Sequence, residues 1–80
     1  MSEPFVYWLV ARDTSETVRQ YFAGWDPDYV SPLLATWNAH ASRALAYETL
    51  TEASPVAREL RRLEPGHRIV IIRRTRRRAR

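Results

Sequence analysis

Residues 5–12, FVYWLVAR, constrain the fold more than any other part of this chain. They are β-branched and aromatic, so they read as a strand. The alternating faces are Phe5/Tyr7/Leu9/Ala11 and Val6/Trp8/Val10/Arg12, and both are apolar. A half-exposed strand would alternate apolar with polar, so this one needs cover on both sides. Residues 68–73 repeat the pattern near the other end, with Ile69/Ile71 on one face and Val70/Ile72 on the other. Any fold for this chain must place both runs in a sheet and cover both of its faces.

Between them, Asp13, Thr14 and Ser15 supply turn chemistry. Residues 16–23 then alternate, with Val18 and Phe22 one way and Arg19 and Tyr21 the other, which predicts a hairpin with the first strand. Gly24 ends that arm. Residues 25–30 are expected to form a loop, because Pro27 cannot sit in a central strand. Ser31 and Pro32 open two alternatives. Ser at an N-cap with Pro after it starts a helix, and Leu34, Trp37, Ala41, Ala44 and Leu45 would share one of its faces. The rival is a short strand over 33–37, a tight turn, and another strand over 44–48.

Ala53, Val56, Ala57, Leu60 and Leu63 form one stripe of an amphipathic helix, with Arg58, Glu59, Arg61 and Arg62 outside it. Thr49 and Glu52 have capping-box spacing, while Ser54 and Pro55 offer a competing start. Pro55 inside a helix begun at Leu50 would lose a hydrogen bond and clash. The expected start is therefore near Thr51, or an irregular first turn. Pro65 and Gly66 stop the helix.

The expectation is an α+β domain. A small antiparallel sheet of three to four strands (about 5–12, 16–23, 44–48 and 68–74) packs on one main helix near 51–63. The hairpin comes first and the lone strand last, with a second short helix in 32–45 as the variant. At 80 residues the chain makes one domain and buries only about 60 to 65 % of its unfolded surface. With no cysteine there is no disulfide framework and no zinc thiolate site. The N-terminal apolar run is too short for a secretory or membrane segment, so a cytoplasmic location is expected.

The net charge of +4 is unevenly held. Arg73, Arg74, Arg76, Arg77, Arg78 and Arg80 fall in the last eight positions with no acid among them. Of thirteen basic residues, all arginine, seven remain in 1–72 against nine acids, so the body is net −2. The reading is a single domain over 1–72 and an arginine-rich tail over 73–80, disordered when free. The tail is a candidate site for nucleic acid or an acidic protein surface. An exposed aromatic such as Tyr21 would add stacking. No interleaved basic–aromatic surface is evident on the body.

Catalytic signals are missing from the sequence. His40 and His67 have no partner at ligand spacing and are read as surface or capping residues. Asp26 and Asp28 lack the glycine and the later acid of a calcium loop. Gly24 and Gly66 are the only glycines, so no phosphate-cradling loop exists, and no serine sits in a nucleophile elbow. No catalytic residue, cofactor or metal is expected. Trp25, Asp26, Asp28 and Tyr29 remain as a candidate partner-binding loop, since aromatic side chains dominate binding hot spots and proline limits the entropy lost on docking; the alternative is that Trp25 and Tyr29 fold back to cap the sheet. Counting faces adds a third candidate. One helix covers one sheet face, so Val6, Trp8, Val10, Val70 and Ile72 would line the other, to be covered by residues 25–45, a second copy or a partner protein.

Trp37, Ala44, Tyr47, Glu52 and Ala53 give the spacing W-x6-A-x2-Y-x4-E-A. On those residues the chain resembles a group of small phage and prophage proteins. They have a β-hairpin, a Trp, a short Ala-x-x-Phe/Tyr segment, a helix starting near Glu-Ala, and a final strand. The resemblance covers 5–72. The segment WDPDYVSPLL and the arginine tail depart from the group. Similar small phage proteins include anti-CRISPR proteins, which bind a host effector complex and block it without catalysis. The resemblance therefore implies a non-enzymatic inhibitor of a host protein or nucleoprotein complex, with a CRISPR effector as the expected class of target. It transfers no functional residue. The alternative is a small basic-tailed DNA- or RNA-binding accessory protein.

Overall fold

Backbone pairing is set by the two end strands. A computed structural model describes residues 5–13, 18–30 and 33–76. Strands β1 (Phe5–Asp13), β2 (Arg19–Val30), β3 (Leu33–Asn38) and β4 (Arg68–Arg76) form one antiparallel sheet in the order β3-β2-β1-β4. A 3₁₀ turn, Ala41–Arg43, and one helix, α1 (Leu50–Leu63), lie between β3 and β4. This is the α+β architecture expected, with one main helix.

β1 pairs with β4 along its whole length, from Phe5↔Arg76 to Asp13↔Arg68. The strand therefore runs two residues past the expected 68–74. Arg73, Arg74 and Arg76 are rungs of the ladder, which corrects the expected boundary of the tail. Arg77, Arg78 and Arg80 lie outside the described residues. With β2, by contrast, β1 pairs only at Ala11↔Tyr21, Arg12↔Gln20 and Asp13↔Arg19. Residues 44–47 connect the two strands beyond those rungs. The Leu45 N–H donates to the Phe22 carbonyl at 2.9 Å, and Trp8 and Tyr47 exchange backbone bonds of 2.8 and 2.9 Å. The strand expected over 44–48 is thus an isolated bridge at Tyr47.

The helix alternative for 32–45 gives way to the rival strand, since β3 occupies Leu33–Asn38; Ser31 and Pro32 lie outside the described residues. The loop expected over 25–30 is a continuation of β2. Proline is tolerated there because Pro27 falls in a gap in the β2–β3 register between Trp25 and Val30, well past the rungs shared with β1. A second irregularity, between Phe22 and Gly24, skips Ala23. Gly24 sits at φ +125°, a conformation that favours glycine. An added Cβ would meet only Leu45 at 3.5 Å, so conformation rather than space selects the residue.

Helix α1 starts at Leu50, earlier than expected. Thr49 is its N-cap, and the Thr49 side chain accepts from the Glu52 N–H at 3.1 Å. Pro55 is carried inside the helix. Its missing N–H strands the Thr51 carbonyl, and Thr51 is exposed, so water can serve that oxygen. Thr49→Ala is expected to cost about 1 kcal/mol, and Thr49→Ser far less, read as shifts in the urea midpoint.

Val10, Phe22, Ala53, Ala57, Leu60 and Ile69 form the buried core, with Trp8, Trp25, Trp37, Tyr47 and Ile71 packed around it. Ala53 and Ala57 have no side chain beyond Cβ, so α1 can lie close over the rings. The pairing Val10↔Ile71 and Leu9↔Ile72 puts odd β1 residues beside even β4 residues. Trp8 and Val10 therefore face the helix with Ile69 and Ile71, while Leu9 and Ala11 share the opposite face with Ile72 and Val70. The set expected to line the face away from the helix, Val6, Trp8, Val10, Val70 and Ile72, mixed the two faces, because it assumed the parity of the ladder.

Candidate interaction surfaces

The predicted loop residues separate. Trp25 turns inward, its ring edge-on to Phe22 with centroids 5.0 Å apart. The Gly24 irregularity causes this, for it brings Trp25 rather than Gly24 onto the helix side beside Ala35. Asp26 is partly covered, and its Oδ1 accepts from the Asp28 N–H at 3.0 Å, a local turn bond. Asp28 and Tyr29 are exposed. Trp25 therefore packs against the core while partly exposed, and the end of the β2–β3 ribbon presents Tyr29 with Leu33 and Leu34.

The arginines also divide. Arg73 pairs with Trp8 on the helix side, Arg74 with Tyr7 and Arg76 with Phe5 on the other. Among the described residues none of the three forms a salt bridge. Tyr21 lies on the same side as Arg74, and its hydroxyl accepts from Arg74 Nη2 at 3.4 Å.

These placements build a surface on the sheet face away from α1. Phe5, Tyr7 and Leu9 form the floor of an open depression of about 340 Å³. The small side chains of Ala41, Ser42, Ala44 and Ala46 line it further, and Arg76 completes it. Phe5 is 43 % exposed, and its ring lies 6.0 Å from that of Tyr7 at 45°. On this face the rungs from Phe5↔Arg76 to Leu9↔Ile72 hold Arg74 and Arg76 and no acid, and residues 41–46 add Arg43 and no acid. The far end of the face is balanced differently. Asp13 accepts from Arg19 at 2.7 and 3.2 Å, and that hydrogen bond, with Arg68 adding a smaller attraction, holds its carboxyl below the ordinary aspartate range.

Sequence reasoning missed this interleaved basic–aromatic face. Its signal is the parity of β1 against β4, and parity is unknown until the register is known. A second feature was also missed. Arg12 Nε donates to Gln20 Oε1 at 2.8 Å, and the Arg12 guanidinium lies 4.3 Å from the Trp37 ring centroid. Arg12 Nη1 pairs with Glu64 Oε1, whose other oxygen accepts from Trp37 Nε1 at 3.1 Å. His67 Nδ1 lies 3.4 Å from the same carboxylate. This cluster ties the end of α1 to the sheet and every member has a partner, so it reads as a structural clasp. His40 is exposed, its N–H donating to Asn38 Oδ1 at 2.8 Å.

Among the described residues no three or more His, Asp or Glu gather as metal ligands, and no helix is long and apolar enough to cross a membrane. No protein-family model, curated protein or solved structure matches the chain.

Proposed function

We propose that this is a phage or mobile-element protein that works by binding, without catalysis, and inhibits a host nucleoprotein complex by occlusion. The observation that carries the reading is the arginine–aromatic sheet face, where Arg74 and Arg76 stand beside Phe5 and Tyr7 with no acid in the paired rungs. A surface of that kind suits a phosphate-rich assembly, because unpaired guanidinium groups form strong forked bonds to phosphate. The resemblance to small phage proteins makes a CRISPR effector complex the first target to try.

The test is to titrate the purified chain into reconstituted, guide-loaded effector complexes of several types. The expected result is loss of target cleavage near one inhibitor per complex, with the two co-eluting and neither covalently altered. Full cleavage with every complex at excess protein, with no co-elution, would overturn the reading. The second reading, a DNA- or RNA-binding accessory protein, draws on the same arginines and would leave effector activity untouched while free nucleic acid is bound.

A further inference from the structure

We infer that the sheet face opposite α1 is a platform for single-stranded nucleic acid, with bases stacking on Phe5 and Tyr7 and phosphates taken by Arg74 and Arg76. This deepens the proposed function and rests on it only in taking the chain to be a binding protein.

Four observations select the ligand. The two rings stand two residues apart on one strand, so they emerge on the same face. They are tilted at 45° with centroids 6.0 Å apart, not stacked on each other, which leaves ring surface for a third planar group. The depression beside them is walled by Ala41, Ser42, Ala44 and Ala46, whose small side chains leave room over the rings. Each ring also has its own cation across the ladder, Phe5 with Arg76 and Tyr7 with Arg74. Tyr21 holds the second of these guanidiniums from the neighbouring strand. Stacking rings alternating with phosphate-binding cations are what an unpaired polynucleotide requires.

Other occupants fit less well. A duplex hides the faces of its bases, so the rings would gain nothing from it. A second copy of this chain would bring the same arginines and no acid to match them. An acidic peptide would satisfy Arg74 and Arg76 but leave the open aromatic floor without a planar partner.

The test uses the full 80-residue chain. Fluorescein-labelled oligo-uridine and oligo-thymidine of about twelve nucleotides, and a duplex of similar length, are titrated by anisotropy at several salt concentrations. Both single strands should bind more tightly than the duplex. Phe5→Leu and Tyr7→Leu keep an apolar side chain but remove the ring, and each should weaken single-strand binding by about five- to a hundredfold, whereas Tyr7→Phe should bind like wild type. Arg74→Ser with Arg76→Ser should flatten the log–log salt slope by about 1.4, two contacts at roughly 0.7 each. Circular dichroism confirms that each variant is folded.

Unchanged binding by folded Phe5→Leu and Tyr7→Leu variants would overturn the platform. So would duplex bound as tightly as single strand and lost on Arg77→Ser, Arg78→Ser and Arg80→Ser together. The two proposals can fail separately. A chain that inhibits an effector but binds no single strand at physiological salt sinks the platform alone. One that binds single strands through the rings but inhibits no effector sinks the inhibitory reading alone.

Discussion

Phe22→Ala is expected to destabilise the protein by roughly 3–5 kcal/mol, the usual cost of emptying a large aromatic site in a core. A domain of this length holds only about 4–12 kcal/mol in total, at roughly 0.05–0.15 per residue. The variant should therefore be partly or wholly unfolded at room temperature. Phe22 is fully buried, and its ring meets Trp25 at 5.0 Å and Trp37 at 5.8 Å, both edge-on. Both tryptophans lose the ring they share when Phe22 is truncated. They also report the effect, so urea unfolding followed by tryptophan fluorescence measures it directly. Phe22→Leu keeps most of the volume and should cost much less, about 1.5 kcal/mol or under if repacking succeeds. Leu45→Ala, at a side chain 42 % exposed, should fall well below either. A Phe22→Ala midpoint close to wild type would mean that the three rings are not the centre of the core.

That core was partly legible in the sequence. The helix stripe through Ala53, Ala57 and Leu60 lands on buried positions because a 3.6-residue period has one solution on a helix. The end strands were legible too, since runs rich in β-branched and aromatic residues favour pairing, but only Leu9, Val10, Ala11 and Ile69 within them are buried. Long-range pairing was not. Whether Leu9 sits beside Ile71 or Ile72 turns on a one-residue slip that leaves both runs equally apolar, and that slip decides which arginines meet which rings. The same ignorance hid the site. Phe5, Tyr7, Arg74 and Arg76 are separated by most of the chain and meet only across the β1–β4 ladder. Trp25 turns inward for a local reason, since one skipped residue at Ala23 shifts the facing of Gly24 and Trp25. Residues 44–48 failed as a strand because they supply one bridge between β1 and β2 and then turn into the N-cap of α1.

The pairing of Arg73–Arg76 with β1 changes how the arginine tail can be tested. A chain ending at residue 72 loses the rungs from Phe5↔Arg76 to Trp8↔Arg73. In that stretch, among the described residues, β1 has one further bridge, at Tyr47, and no rung to β2. At roughly one ladder hydrogen bond per rung, each worth about 1 kcal/mol net, the truncation should cost about 4 kcal/mol before any loss of packing around Phe5, Tyr7 and Trp8 is added. A chain ending at residue 76 keeps every described rung and should melt within a degree or two of the full chain, small beside the shift of about 4–8 °C per kcal/mol in a domain this size. Thermal unfolding of the three lengths, followed by circular dichroism, checks both expectations. The ordering matters for function. Loss of binding after a cut at 72 cannot be credited to a flexible arm, because the cut also removes Arg74 and Arg76 from the sheet face and unpairs the strand that carries the rings. Only the comparison of 76 with 80 isolates the last arginines. If the 72-residue chain proves as stable as the full one, β4 ends before Arg73 in solution. Phe5 and Tyr7 would then have no cations held beside them, and the single-strand platform would lose its phosphate contacts.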